Sequence, residues 1–490
     1  MKLTRCFLLE NVEHFSGVVM HLWSSKYRPA MALPQRGRGK IFKGKLRIKV
    51  KQGALAMLFN RERALQLMGK YGADVLVATL PENVFYLTGH AACVSRRYKE
   101  WQMRPGSPYT LSQAYAVFPS DETVTPSLVV SMYSSFYNAQ IPSWVNLEDI
   151  WTYGAFPRDR ASGAKVVRQE ELRFEEIQAA KDRNAPNAGE ALVKVLKEKG
   201  LDKKRIGLDM ENLSPIVRKM LGSKLPRAKF GDACELIRLV RMVKTPQEIE
   251  CLKRAAEINE KAIDSFVERI EEGTTEKKLL QIYRESVAKQ GAEVEFFWIL
   301  AGSRVTAPWP PSDYKIKKGD EILWDVGCIF DQYHADTGNV AVLGKPSKDL
   351  LSLYEGSNMS VQKALKTVAP GIKPSEVADA INKVRAKFGM QPRASGMLHG
   401  IGLDIRDYPI HAPVDIKGIS DDFVKSMSTD IPLEKDMIIN IEVPYRKLGV
   451  GAVQIEIALR VTEGGCQHLL PQERCLNVIG KEKLFALRRK

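Results

Sequence analysis

LWDVGCIFDQYHAD, Leu323 to Asp336, is the stretch whose reading decides the fold. It sets two carboxylates, Asp325 and Asp336, eleven residues apart in apolar surroundings. A carboxylate withdrawn from water is costly unless positive charge or hydrogen-bond donors compensate it, so something positive is expected between these two. The run EILWDVGCIF (321–330) reads as a buried strand, and two later runs, MIINIEVPY (437–445) and VQIEIALRVTE (453–463), read the same way. Each carries an acid, Glu442 in the first and Glu456 in the second, and His399 stands in GMLHGIGL ahead of both. Any one of the five is equally readable as a salt-bridged or surface residue. As a set, four carboxylates and one imidazole suit two divalent cations, manganese first and then cobalt, iron or zinc.

Around these strands the helical signals are regular. In RMVKTPQEIE, Thr245 with Glu248 three residues on forms a capping box, and Pro246 takes the first helical position. Ile249, Leu252, Ala256, Ile263, Phe266 and Ile270 then repeat at helical spacing, which predicts a long amphipathic helix. Further helices are expected near 276–290, 351–368 and 377–388. Upstream, a helix over Arg61–Tyr71 leads through Gly72 into the apolar run ADVLVATL and then PENVFYLTGH. Strand-like runs at 114–120, 127–133 and 206–210, with a Lys-rich helix at 190–199, give an alternating α/β pattern as far as about residue 235.

The chain has 490 residues, room for two ordinary domains. Its net charge of +16 is concentrated: residues 1–56 hold twelve Lys or Arg against Glu10 and Glu13, leaving only +6 for the remaining 434. A nucleic-acid arm or a targeting segment would explain the run RGRGKIFKGKLRIKVK, but no aromatic-basic motif accompanies it. The expectation is therefore a solvated tail, or translated sequence upstream of a true start at Met57, with nucleic acid not a partner. No apolar run approaches the roughly 20 residues needed to span a bilayer. Seven cysteines, an odd number without any CxxC, suit free thiols in a reducing, cytoplasmic compartment.

The motifs DVGCIFDQYHADT, LHGIGLD, INIEVPY and VQIEIALRVTEGG, in that order and preceded by the turn PGIKPSEVADAI, resemble the pita-bread metallopeptidase family of prolidase, Xaa-Pro aminopeptidase, methionine aminopeptidase and creatinase. GADVLVATLPENVFYLTGH resembles the creatinase-type domain that precedes the catalytic domain in prolidase-like members. The resemblance implies an α+β chain with a basic extension (1–56), a creatinase-type α/β domain (57–240) and a pita-bread catalytic domain (241–490), without a membrane partner and paired as a homodimer in the way its relatives are. It further implies that Asp336 and Glu456 bridge two metals, that Asp325 completes one ion, and that His399 with Glu442 completes the other. Glu442 would also shuttle protons for a metal-activated water attacking the carbonyl of a short peptide or small amide.

This chain departs from the family at three places. Pro308 and Trp309 stand where peptidase members carry a histidine upstream of the first aspartate; Arg406 stands where a second histidine follows the metal histidine; Gln454 replaces an arginine two residues before the last glutamate. Arg406 is expected to bind an anionic group of the substrate, or else to pair with Asp404 or Asp407. Trp309 is expected to wall the substrate, or to be core. His334 and His411 are the candidates to stand in catalytically for the missing histidines. A dimethylsulfoniopropionate-type lyase of the same fold, or a small-amide hydrolase, is the alternative function, although those lyases carry an aspartate where this chain has Gly327.

Overall fold

The computed structural model describes residues 58–91, 113–140, 144–412, 418–425, 427–471, 475–480 and 485–486. The basic extension and Met57 lie outside the described residues, as do Cys6 and Cys93. The first helix spans Arg61–Tyr71: the Asn60 side chain accepts the Arg63 N–H at its start, and Gly72, at φ 74°, ends it in the left-handed region.

Seven strands follow: β1 (Val75–Ala78), β2 (Tyr115–Pro119), β3 (Ser127–Ser131), β4 (Ile150–Tyr153), β5 (Asn184–Ala185), β6 (Arg205–Leu208) and β7 (Lys229–Asp232). They form one mixed sheet in the order β5-β4-β3-β2-β1-β6-β7. Parallel pairs need crossover connections, and the helices Ala188–Glu198 and Pro215–Lys224 supply them on either side of β6. PENVFYLT folds as a helix with Pro81 in its first turn.

The long helix spans Pro246–Val267. Its capping box is present: Thr245 Oγ1 accepts the Glu248 N–H at 3.2 Å, and the Glu248 carboxylate accepts the Thr245 N–H at 2.8 Å. Ile270 is buried but lies past the helix end, so the apolar repeat outruns the helix by a turn.

The second half contributes β8 (Glu293–Ala301), β9 (Glu321–Phe330), β10 (Tyr333–Leu343), β11 (Leu398–Gly400), β12 (Asp407–Ile410), β13 (Ile438–Glu442), β14 (Tyr445–Lys447), β15 (Gly451–Val453), β16 (Glu456–Thr462), β17 (Gly465–His468), β18 (Asn477–Ile479) and β19 (Phe485–Ala486). Two five-stranded sheets result, β19-β18-β10-β9-β8 and β12-β11-β13-β16-β17, with β10 packed against β16 where they meet. The helix Pro246–Val267 lies against β9 and β10, and its Leu252, Ala255, Ile258 and Phe266 join Trp324 in the core. The helices Lys348–Leu365 and Pro374–Lys387 pack on each other.

The run VQIEIALRVTE is not one strand. It breaks at Gln454 and Ile455 into β15 and β16, and the break turns the Gln454 amide inward. The amino-terminal sheet region is tied to the second half by ion pairs: Arg63 grips Glu434 with both Nη atoms, at 2.7 and 2.8 Å, and the buried Arg241 meets Asp404 at 2.6 Å and Asp407 at 3.0 Å. No helix among the described residues is long and apolar enough to cross a membrane.

Candidate metal centre

The antiparallel register of the β9–β10 hairpin pairs Asp325 with Gly338 and Gly327 with Asp336. Alternate residues share a face, so both acids emerge diagonally on the same side of the hairpin. In the other sheet His399 pairs with Asn440, Asn440 with Ala458, and Glu442 with Glu456. The same period-two rule puts His399, Asn440, Glu442 and Glu456 on one face. Where these faces meet, one ligand atom each from Asp336, His399 and Glu456 lies within 4.8 Å of the others. His399 Nε2 is 3.7 Å from both Asp336 Oδ2 and Glu456 Oε1, while its Nδ1 contacts the Gly400 carbonyl at 2.9 Å.

Asp325 and Glu442 complete the ring around this trio. Gln454 Nε2 donates to Asp325 Oδ2 at 2.9 Å and to Glu456 Oε2 at 3.3 Å, tying the first aspartate to the last glutamate. Asn440 Nδ2 donates to the other oxygen of Glu456, at 3.0 Å, and to the Asp336 carbonyl at 3.2 Å. Gly338 makes room for this: a Cβ there would lie 2.4 Å from Gln454 Nε2. Gly327, for its part, faces the Phe296 ring, and a Cβ would meet Phe296 Cε1 at 2.4 Å and the Ala335 carbonyl at 2.6 Å. An aspartate at that position, as in the lyases, has no room unless both neighbours shift.

The electrostatics demand a counter-charge. Burial first, and then the Glu456 charge, holds the Asp325 and Asp336 carboxyls well above the usual carboxylate range. Burial and Glu456 also raise Glu442, although Arg393, His399 and Arg406 pull it back. Glu456 goes the other way: burial raises it, but the His399 ring and the Asn440 amide outweigh that and leave it below the ordinary value. Two buried polar atoms in the trio, Asp336 Oδ1 and His399 Nε2, have no hydrogen-bond partner. Such atoms are rare in folded proteins and call for an explanation. Carboxylate oxygens and an imidazole nitrogen aimed at one point are a donor set for a hard or borderline divalent cation, so the residues present fit a metal.

The remaining candidates lie apart from the trio. His334 is buried, with Nδ1 3.1 Å from the Gly402 carbonyl and Nε2 3.9 Å from Glu295. It lines a cavity of about 30 Å³ together with Asp336 and Glu260. The register gives His399 the partner Ile410, so His411 falls one residue out of phase; its N–H donates to the Leu398 carbonyl. Arg406 pairs with neither Asp404 nor Asp407, both of which Arg241 holds. Its Nη2 is 3.3 Å from Glu442 Oε1. Trp309 is 52% exposed, so it is not core.

Residues 250–463 match metallopeptidase family M24, and residues 157–243 match the creatinase/prolidase N-terminal domain. The two matches together support the pita-bread, prolidase-like family. As an M24 member it is a metallopeptidase-type hydrolase, and enzymes of this family depend on metal. Among its relatives is the Xaa-Pro dipeptidase of Pyrococcus furiosus, 28% identical over 250 residues, which are 50% of this chain and 68% of that one. The Xaa-Pro dipeptidase of Pyrococcus horikoshii is 26% identical over 250 residues, 50% of this chain and 67% of the relative. The crystal structure of prolidase from the same organism superposes with a TM-score of 0.61 at 20% identity, covering 84% of this chain and 98% of that chain. An X-Pro aminopeptidase structure from Thermotoga maritima gives 0.59 at 22% identity, covering 86% and 99%.

The reading from sequence missed Asn440, and named Gln454 only as the replacement of an arginine rather than as a partner of Asp325 and Glu456. Their signal was present: both are polar residues in strand-like runs, spaced by two from a proposed ligand, and hence on its face if the strand continues.

Proposed function

We propose that this chain is a dinuclear metal-dependent dipeptidase acting on Xaa-Pro peptides or closely related short amides. The observation that carries the reading is the buried convergence of Asp336, His399 and Glu456, with Asp336 Oδ1 and His399 Nε2 left unpartnered. Asp336 and Glu456 would bridge two cations, Asp325 would complete one, and His399 with Glu442 the other. Manganese is the first candidate, with cobalt, iron or zinc behind it. Bound there, such ions polarise the scissile carbonyl and lower the pKa of the attacking water.

The chain's own groups do the rest. Gln454 and Asn440 hold the Glu456 carboxylate by one oxygen each, which fixes its plane between the two sheets. Glu442 takes a proton on its carboxylate as water attacks and returns it to the departing nitrogen. Arg406, beside Glu442 and half exposed, is placed to receive a substrate carboxylate. Trp309 offers an apolar wall. His411 remains a proposed proton carrier near the mouth, and we assign His334 to steadying the Gly402 turn, since its Nδ1 is engaged there. Space at Gly327 argues against the lyase alternative. The five described cysteines are all free, in keeping with a cytoplasmic workplace, and a homodimer is proposed on family likeness.

The test is turnover of Xaa-Pro dipeptides by metal-free protein reconstituted with manganese, cobalt, iron or zinc. Release of free proline that depends on added metal is expected. Metal uptake without cleavage of any dipeptide or small amide would sink the reading.

A further inference from the structure

Two guanidinium groups flank the Glu442 carboxylate. Arg406 Nη2 lies 3.3 Å from Glu442 Oε1, and Arg393 Nη2 lies 3.7 Å from the same oxygen. Arg446, on β14, is an electrostatic neighbour of Asp325, Glu442 and Arg393. The three arginines come from separate segments: the coil before β11, the β11–β12 turn and the β14–β15 hairpin. Convergence of Arg393 and Arg406 from two segments on one carboxylate oxygen, with Arg446 an electrostatic neighbour, is not the pattern of a solvated charge run along a single helix face.

The arginines are also underused. Each guanidinium has five N–H donors. Arg393 is fixed in place, its Nε donating to the Ser395 carbonyl at 2.8 Å while its backbone exchanges hydrogen bonds with Asn382. Arg406 gives one Nη to Glu442, and Arg446 makes no hydrogen bond or ion pair with a described residue. Arg393 and Arg446 disfavour each other's charge, and an anion placed beside them would offset that. One substrate carboxylate can engage one guanidinium through two parallel bonds, which leaves a second guanidinium for a second anionic group. The 3-10 turn at Gly302–Thr306, which precedes the exposed Trp309, packs against β14 and β15.

We propose that this rim selects dianionic short peptides, those with a free terminal carboxylate and an acidic side chain, through Arg406 and Arg446 with Arg393 as the fixed base. The proposal rests on the dipeptidase reading above and deepens it by naming the substrate class. The experiment compares Glu-Pro, Gln-Pro and Lys-Pro, each as free acid and as terminal amide, on the manganese-loaded full chain, and adds calorimetric titration with glutarate and its neutral diamide.

Glu-Pro is expected to exceed Gln-Pro about tenfold in kcat/KM, and the amides to lose about tenfold, the size of one charge-assisted hydrogen bond. Arg406→Ala and Arg446→Ala should each bring the Glu-Pro to Gln-Pro ratio toward one through KM rather than kcat, with Arg406→Lys restoring part of it. Glutarate should bind more tightly than its diamide and weaken in both alanine variants. Equal turnover of Glu-Pro and Gln-Pro, or ratios unchanged in the variants, overturns the rim proposal and leaves the dipeptidase reading standing. No turnover of any peptide overturns the dipeptidase reading. Glutarate binding then decides the rim by itself: loss in the variants supports it, and affinity unchanged from the wild-type chain overturns it.

Discussion

Two buried carboxylates in the same half of the molecule have opposite surroundings. Glu276, at the start of its helix, is fully buried and accepts from four groups: the Ala301 N–H at 2.8 Å, Arg304 Nε at 3.0 and 3.1 Å, and the Ser312 N–H and hydroxyl, each at 2.7 Å. It closes the loop that carries Trp309. Asp336 is nearly as buried, yet its Oδ1 has no partner and its other oxygen faces a histidine 3.7 Å away. A satisfied buried carboxylate is architecture, whereas an unsatisfied one among other acids is a vacancy for positive charge. Glu321 stands between the two, half-buried with the Ala452 N–H as its hydrogen-bond partner at 2.8 Å.

The contrast can be broken most forcefully at its extremes. Asp336→Ala is expected to abolish metal uptake and lower activity by about a thousandfold or more, while the metal-free protein melts no lower than wild type because a repelling charge has gone. Elemental analysis with calorimetry checks both halves, and a large loss of metal-free stability would mean that Asp336 is architecture after all. Glu276→Ala should do the reverse. Leaving Arg304 and two backbone donors without their acceptor costs about 3–5 kcal/mol, read as a lower urea midpoint, with metal stoichiometry preserved.

A smaller effect sharpens the comparison at the ligand face. Gln454→Leu removes the amide that joins Asp325 to Glu456 and is expected to weaken metal affinity about 10–100-fold without changing the fold, as competition with a chelator would show. The smallest effect lies at Glu321. Burial pushes its carboxyl up to about 7, so between the ordinary glutamate range and pH 7 the folded state binds more protons than the unfolded one. Stability therefore falls as pH rises through that window and levels off above it. In Glu321→Gln, denaturation series from pH 4.5 to 8 should show a shallower decline, because Glu248 and the raised site acids still contribute to it, and an identical slope in both proteins would remove Glu321 as a source.

Much of this was legible beforehand because it is local. The strand Glu321–Phe330 and the helix Arg61–Tyr71 coincide with their expected bounds, and the Thr245–Glu248 capping box formed as read, since a cap involves residues three apart. Two strands that frame the site were not legible. YHADTGNVAVL, the β10 sequence, is buried along nearly its whole length, polar residues included, so no alternation marks it as a strand. EVEFFWILA, β8, is exposed or half exposed for six residues and then buried for three, again without a period of two.

The order and types of the five candidate ligands, the family they imply and the departures at Trp309, Arg406 and Gln454 came from the chain alone, because they depend on residue identity and short-range spacing. What stands opposite what was decided by the tertiary structure. The meeting of Arg393 and Arg406 on Glu442 comes from the loops that flank β11, while the pairing of His399 with Ile410 rather than His411 and the gap at Gly338 that admits Gln454 arise from register between strands. A slip of one residue would turn every one of those strand side chains to the other face, and nothing in a single strand's composition states which register its partner takes.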